Sequence, residues 1–499
     1  MATNCSPTYP GSAGPGAGGD ASVPAARIPR SLSVLVGAVS LGAVLAMLDA
    51  TIVAVGIGAM GRGLNASLTT IQWVTTSYML AFAMVMPLLG WAVGRFGARR
   101  TWLTSLTVFV VGSALCALAW SAGSLIAFRV VQGLGGGLLL PLSQTILARA
   151  AGPQLRGRVL GLAAVPAMLA PVFGPVAGGV IIDNLDWPWL FYVNLPLGVI
   201  ALVLAMRLLP RDEAVSRAPL DVLALILLSP GLAVLTLGFM QVGATGSLSS
   251  FGARVEIAVG GLMLVAFVVH ALRRRTAPLV DLRLFRRSGL AASAVASFLL
   301  AASLFGSMLL LPLYHQLLLG QDAMTAGLSL VPQGLGALLA VSYAGRLTDR
   351  YGAGKVVPAG VVLVLVGTLP YAFAGAGMSP YCSAAGLLVR GIGLGASFTP
   401  ALVAAYHGLG KEQIAGATSI VNIAQRVGGS VGTALLSVVL HRRLEQSVGP
   451  DAVLNPMRAG RSAAAQQLVP VFGTAFWWML GFSALALLPA LVLPRRSAE

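Results

Sequence analysis

Apolar runs dominate the chain from Ser31 onward. Most are about 20 residues long, enough to cross the roughly 30 Å core of a bilayer, and short connections carrying arginine, glycine and aspartate separate them. Fourteen can be placed, centred near Ala43, Ala83, Phe109, Leu138, Leu169, Ile200, Ala233, Val265, Leu300, Leu335, Leu365, Ala396, Val431 and Ala484. A helix bonds its own backbone internally, so the pattern predicts an all-α polytopic membrane protein. One run differs from the others. Ala170 to Ile181 reads APVFGPVAGGVI, with Pro171, Gly174, Pro175, Gly178 and Gly179 inside it. Such residues break helices in water but are tolerated in a bilayer. Glycines four apart lay a smooth strip on one face, open to close approach by a second helix. The pair Gly174-Pro175 predicts a kink, so this run is expected to be a bent helix packed tightly on a neighbour.

Composition agrees: 57% of residues are hydrophobic and 9% charged, against roughly 25% charged in soluble domains. With the N-terminus placed inside, 23 lysines and arginines fall on the inner side and six on the outer. That is the positive-inside bias, and it puts both termini in the cytoplasm. It also accounts for the formal charge of +17. The basic residues are spread over loops with no aromatic platform, which argues against a nucleic-acid partner. Residues 1–30, rich in Gly, Pro, Ala and Ser, read as a disordered cytoplasmic tail without the features of a cleaved signal. Cys5, Cys116 and Cys382 lack metal-ligand spacing and read as inert. The four histidines are scattered, so neither a metal nor a cofactor is expected.

The chain also repeats itself. GWAVGRFGARR (Gly90 to Arg100) returns as GRLTDRYGAGK (Gly345 to Lys355), 255 residues later, and GPVAGG at Gly174 is echoed at the same offset by GSVGTA at Gly429. RVVQGLGGG at Arg129 is matched by RGIGLGA at Arg390. A near-constant offset predicts a duplicated six-helix unit, residues 31–209 and 289–499. Residues 210–288, with two helices of their own, are an insert. The architecture expected is six plus two plus six.

These segments together resemble the major facilitator superfamily, and within it the fourteen-helix drug:proton antiporters. LDATIV (Leu48 to Val53) is similar to the family's first-helix motif, QWVTTSYML (Gln72 to Leu80) to its second-helix start and RVVQGLGGG to its fourth-helix motif. APVFGPVAGG is similar to the exporter motif of the fifth helix, and DWPWLFYVNLPLG (Asp186 to Gly198) to the start of the sixth. The resemblance implies the major facilitator fold, a bacterial cytoplasmic membrane, proton-coupled efflux of the multidrug or antibiotic-resistance kind, and a proton-coupling role for Arg129. The chain departs from the pattern at Gly94, where the family carries an acid that the second copy keeps as Asp349, and at Ala54 and Gly58 in the first helix.

Placing the fifteen acids one by one leaves only Asp49 deep within an apolar run. A carboxyl there is costly and marks a functional site. Arg129 is its expected partner, because desolvation raises a carboxyl's pKa and a nearby cation lowers it. Gly90, Arg95, Gly97, Arg99 and Arg100, with Gly345, Asp349, Arg350 and Gly352, form a candidate cytoplasmic gate of tight turns and breakable ion pairs. Candidate cavity-lining residues are Trp73, Tyr78, Gln132, Phe305, Tyr314, Gln316 and Asn422. One deep acid and few polar groups point to a hydrophobic solute, neutral or singly cationic. The expectation is a monomeric, non-enzymatic exporter whose partners are such solutes, protons and the lipid bilayer. Alternatives are a proton-coupled nutrient importer, a membrane-embedded enzyme and a non-transporting sensor.

Overall fold

A computed structural model describes residues 28–212, 219–274, 279–286, 288–373, 378–448 and 465–494. Most of the N-terminal tail, including Arg27, therefore lies outside the described residues. The described chain is helical almost throughout. Its elements are α1 (Arg30–Val55), α2 (Ile57–Gly63), α3 (Leu68–Val85), α4 (Leu89–Phe96), α5 (Ala98–Ala117), α6 (Ala122–Asn184), α7 (Trp189–Tyr192) and α8 (Asn194–Leu208). After these come α9 (Val222–Thr245), α10 (Phe251–Arg273), α11 (Ser288–Leu313), α12 (Ala323–Leu328), α13 (Val331–Tyr351), α14 (Ala353–Phe373), α15 (Pro380–Ala405), α16 (Ile414–Val448) and α17 (Ala465–Val492).

Thirteen helices among the described residues are long and apolar enough to cross a membrane. The expected run at Leu169 has no separate helix because it continues α6, which is 63 residues long. Gly152, with φ +64° and ψ 174°, breaks α6 into two limbs. Each limb has about 30 residues, or about 45 Å at 1.5 Å per residue, more than one bilayer core. The hinge is thus at Gly152, at the arginine-rich end. Gly174 and Pro175, expected to kink, keep helical dihedrals, since Gly152 is the only departure within α6.

The repeated loop has a repeated backbone. Gly97 and Gly352 stand 255 residues apart, with φ +86° and +81°, a left-handed region that L side chains rarely adopt. Each amide closes the preceding helix, Gly97 on Val93 O at 3.0 Å and Gly352 on Thr348 O at 2.9 Å. Helix packing follows the same duplication: α6 packs on α1, α3 and α5, while α15 packs on α11, α13 and α14. The two segments meet where α6 crosses α13 and where α16 crosses α6 and the α3–α4 corner. The inserted α9 packs on its partner α10 and also on α3 and α16, so it touches both segments.

The glycine strip of the second limb of α6 is seated on α1. A Cβ on Gly174 would collide with the Thr51 side chain, and one on Gly178 would lie 3.0 Å from Ile52 O and 3.3 Å from Val55 Cβ. A Cβ on Gly179 meets nothing within 4 Å. The side chain of Pro171 lies outside those described. Overpacking of this kind costs about 1–3 kcal/mol. Gly174→Leu and Gly178→Leu should each lower the thermal stability of the purified protein accordingly. Gly179→Leu should stay within about 0.5 kcal/mol of wild type, as surface changes do. Equal losses at all three positions would contradict the assigned face.

Candidate functional site

Five helices bring polar groups to one buried point in the half of the bundle away from the arginine-rich loops. Asp49 of α1 and Arg129 of α6 are both inaccessible to solvent, and Nη1 of Arg129 lies 2.5 Å from Oδ2 of Asp49. Arg129 and Gln132 are three residues apart, hence on one face of α6, and Gln132 Nε2 donates to Asp49 Oδ1 at 2.8 Å. Asn194, the first residue of α8, donates to the same oxygen at 2.8 Å. Ser113 of α5 accepts from Gln132 at 3.1 Å and from Asn194 at 3.0 Å, and passes its own proton to Phe191 O at 3.0 Å. On the α3 side, Nε of Arg129 donates to Val74 O at 3.1 Å, and its guanidinium stacks 4.0 Å from the Tyr78 ring centroid. The Tyr78 hydroxyl in turn donates to Ala46 O of α1 at 3.1 Å.

Burying two ions costs several kcal/mol each, recovered only by good geometry and further hydrogen bonds. Here one carboxylate accepts from Arg129, Gln132 and Asn194. The Nη2 of Arg129 and the Oδ1 of Asn194 remain buried without a partner, so the network is not fully satisfied.

The helices of the two segments close on each other at the arginine-rich end. Asp349, at the end of α13, accepts from the backbone amides of Gly157 at 2.8 Å and Arg158 at 3.1 Å and lies 3.5 Å from the Arg158 side chain. It therefore serves the second limb of α6 just past the Gly152 hinge. Along α16, Ser419 donates to Met86 O at 2.9 Å and Asn422 to Gln144 Oε1 at 2.8 Å, while Thr145 donates to Thr418 at 3.3 Å. Arg156 reaches Tyr406 O at 3.4 Å. In the first copy of the loop, Gly94 has nothing within 4 Å of its Cβ direction. Gly90, one turn earlier on the same face, lies against Gly416 in the first turn of α16, where an added Cβ would stand 3.6 Å from the Gly416 Cα.

A family model described as Major Facilitator Superfamily matches residues 39–433. The multidrug resistance protein B homolog of Mycobacterium tuberculosis is 40% identical over 445 residues, covering 88% of this chain and 82% of that protein. This chain belongs to the major facilitator superfamily. The multidrug export protein EmrB of Escherichia coli is 30% identical over 429 residues, 84% of this chain and 83% of its own length. Among solved structures, the human organic anion transporter MFSD10 superposes with a TM-score of 0.61 at 17% identity, covering 91% of this chain and all of that one, which shows the shared fold.

Within this superfamily member, several residues stand elsewhere than expected. Gly97, Arg99 and Arg100 do not bridge the two segments. The Arg99 and Arg100 amides donate to Asp212 at 2.8 and 3.1 Å, which fastens the start of α5 to the chain just past α8. Arg95 and Arg350 are exposed. Tyr78 and Gln132, expected to line a cavity, are instead inside the buried network. Tyr314 is core: its ring packs 5.5–5.7 Å from Tyr371, Phe472 and Phe476. Asn422 is buried in the seam, Gln316 is half-buried in a π-helical turn, and Trp73 and Phe305 are exposed at 44% and 40%. Arg390, the counterpart of Arg129, is equally buried but meets neutral groups, Gln333 at 2.6 Å, Thr368 at 3.1 Å and Ser303 O at 3.0 Å. Cys116, expected to be inert, points its thiol at Gln132 Oε1 at 3.6 Å. Asn194, Ser113 and Asp212 were not singled out from the sequence. For Asn194 a signal existed, because it lies within the DWPWLFYVNLPLG segment.

The seam gives a direct expectation. Asp349→Asn weakens the hold on Gly157 and Arg158, so a cysteine at Ser419 should be alkylated faster from the arginine-rich side. Gly94→Asp places a carboxylate where space is open on a helix that packs against α16, whose N-terminal end favours an anion, and should slow alkylation or leave it unchanged. Asp349→Asn reacting at the wild-type rate would contradict the seam assignment.

Proposed function

We propose that this protein is a proton-coupled exporter of hydrophobic small molecules working by alternating access across a bacterial cytoplasmic membrane. Residues 31–209 and 289–499 are the two moving units, fourteen helices cross the membrane, and 210–288 is the inserted pair. The arginine-rich end faces the cytoplasm, by the positive-inside bias. The names of its relatives, multidrug resistance and multidrug export proteins, support both the direction and the class of solute.

One observation carries the coupling: a solvent-inaccessible carboxylate held by an arginine inside the first of the two moving units. In the closed arrangement Asp49 is paired with Arg129 and shut off from solvent. Opening toward the outside admits water, and protonation of Asp49 removes the charge that holds Arg129. The proton then favours whichever state leaves the pair broken, and only through that difference in affinity. Return to the inside releases the proton and restores the pair. Seam contacts at Asp349, Ser419 and Asn422 break as the inner side opens, and the α6–α1 glycine contact transmits motion between limb and site.

The test is transport by the whole protein in inverted membrane vesicles. Asp49→Asn should insert normally and lose uphill dye accumulation driven by a pH gradient. Accumulation by Asp49→Asn at the wild-type rate would place the coupling proton elsewhere.

A further inference from the structure

We propose that Arg426 determines solute specificity, selecting lipophilic anions over cations of the same shape. This rests on the export reading above and adds the charge of the solute to it. Arg426 is the last rung of the α16 seam. Thr418, Asn422 and Arg426 follow at spacings of four, with Ser419 three before Asn422, hence all on one side of the helix. Thr418, Ser419 and Asn422 are buried and hydrogen-bonded across to the first segment. Arg426 lies about 18 Å from the start of α16 at 1.5 Å per residue, near mid-membrane, yet it is only half-buried. Its guanidinium faces the Phe82 ring, 4.3 Å from the centroid, and Nη1 touches Met79 Sδ at 3.9 Å. Among the described residues it has no carboxylate partner. One turn further on, Gly429 lies against Phe305, which is 40% exposed. At Arg426 the seam reaches partly exposed surface.

The other two deep arginines are accounted for. Arg129 has Asp49, and Arg390 is surrounded by hydrogen-bond acceptors. Because Asp49 is already neutralised by Arg129, it offers no attraction to a cationic solute, contrary to the expectation from sequence. The uncompensated charge at this partly exposed surface is positive. A half-buried guanidinium is little screened by salt, binds carboxylates and sulfonates through a planar fork, and stacks on aromatic faces. The site therefore fits an apolar, aromatic anion.

Tetraphenylborate and tetraphenylphosphonium share a shape and differ in charge, so they isolate this effect. Binding is measured by equilibrium dialysis against the purified full chain in nonionic detergent. Wild type should bind the borate at least about tenfold more tightly. Arg426→Gln should abolish the preference by weakening the borate alone, and Arg426→Lys should keep most of it. Equal binding by wild type, or preference for the phosphonium, would overturn the proposal. So would an Arg426→Gln protein that binds both ions equally less well, because Arg426 would then be a latch between segments. The measurement uses no gradient. A lost preference with gradient-driven export intact removes only the charge assignment, whereas an intact preference without export removes only the export reading.

Discussion

Everything in the first half of the molecule is arranged around one buried ion pair. An Asp–Arg pair out of reach of water depends on further hydrogen bonds to its remaining lone pairs and protons. That requirement recruits α3, α5 and α8 as well as α1 and α6, because Val74 O, Ser113 and Asn194 each supply a group the pair itself lacks. The bundle cannot shift around this point without breaking charged hydrogen bonds. Removing the charge of Asp49 would leave the Arg129 guanidinium buried without its counter-ion, so this residue is a constraint on the fold.

The second half repeats the helices without repeating the chemistry. Arg390 is as buried as Arg129 but meets only neutral partners, so no carboxyl there changes charge with protonation. The duplicated loop divides the other way. The second copy keeps Asp349 on the amides of Gly157 and Arg158, while the first copy has Gly94 and open space. The buried ion pair and the contact between segments therefore sit in different copies. The Asp349 contact bears on the limb just past the Gly152 hinge, the limb whose glycines rest on α1 at Thr51, Ile52 and Val55, two to six residues from Asp49.

How far the sequence was readable depended on whether a residue's role was local. Apolar runs are local averages, and they predicted the helices, while the quoted motifs carried the resemblance to the superfamily. Asp49 stood out because it is the lone acid in apolar text. Gly97 and Gly352 stood out because the turn they make requires a residue without Cβ at positive φ. Asn194 and Ser113 are ordinary polar residues until folding brings them within about 3 Å of one another, a distance that no spacing along the chain reports. Asp212 was read as a loop acid, yet its partners are amides more than a hundred residues earlier. Tyr314 and Tyr78 were read as lining because aromatic residues suit a cavity, whereas packing made both of them core. Gly174-Pro175 looked like the hinge, but helical dihedrals survive there and fail at Gly152, where two membrane runs meet at a tight connection.

Whether Asp49 itself takes up a proton in the folded protein is the point on which the account turns. Difference infrared spectroscopy on the whole protein in lipid, recorded as pH is lowered, reads the carbonyl stretch that a carboxyl shows only when protonated. The account predicts a band in the position typical of a buried, water-excluded carboxylic acid, absent from Asp49→Asn. A spectrum in which that band survives in Asp49→Asn, or never forms in wild type at any pH that leaves the protein folded, would contradict it.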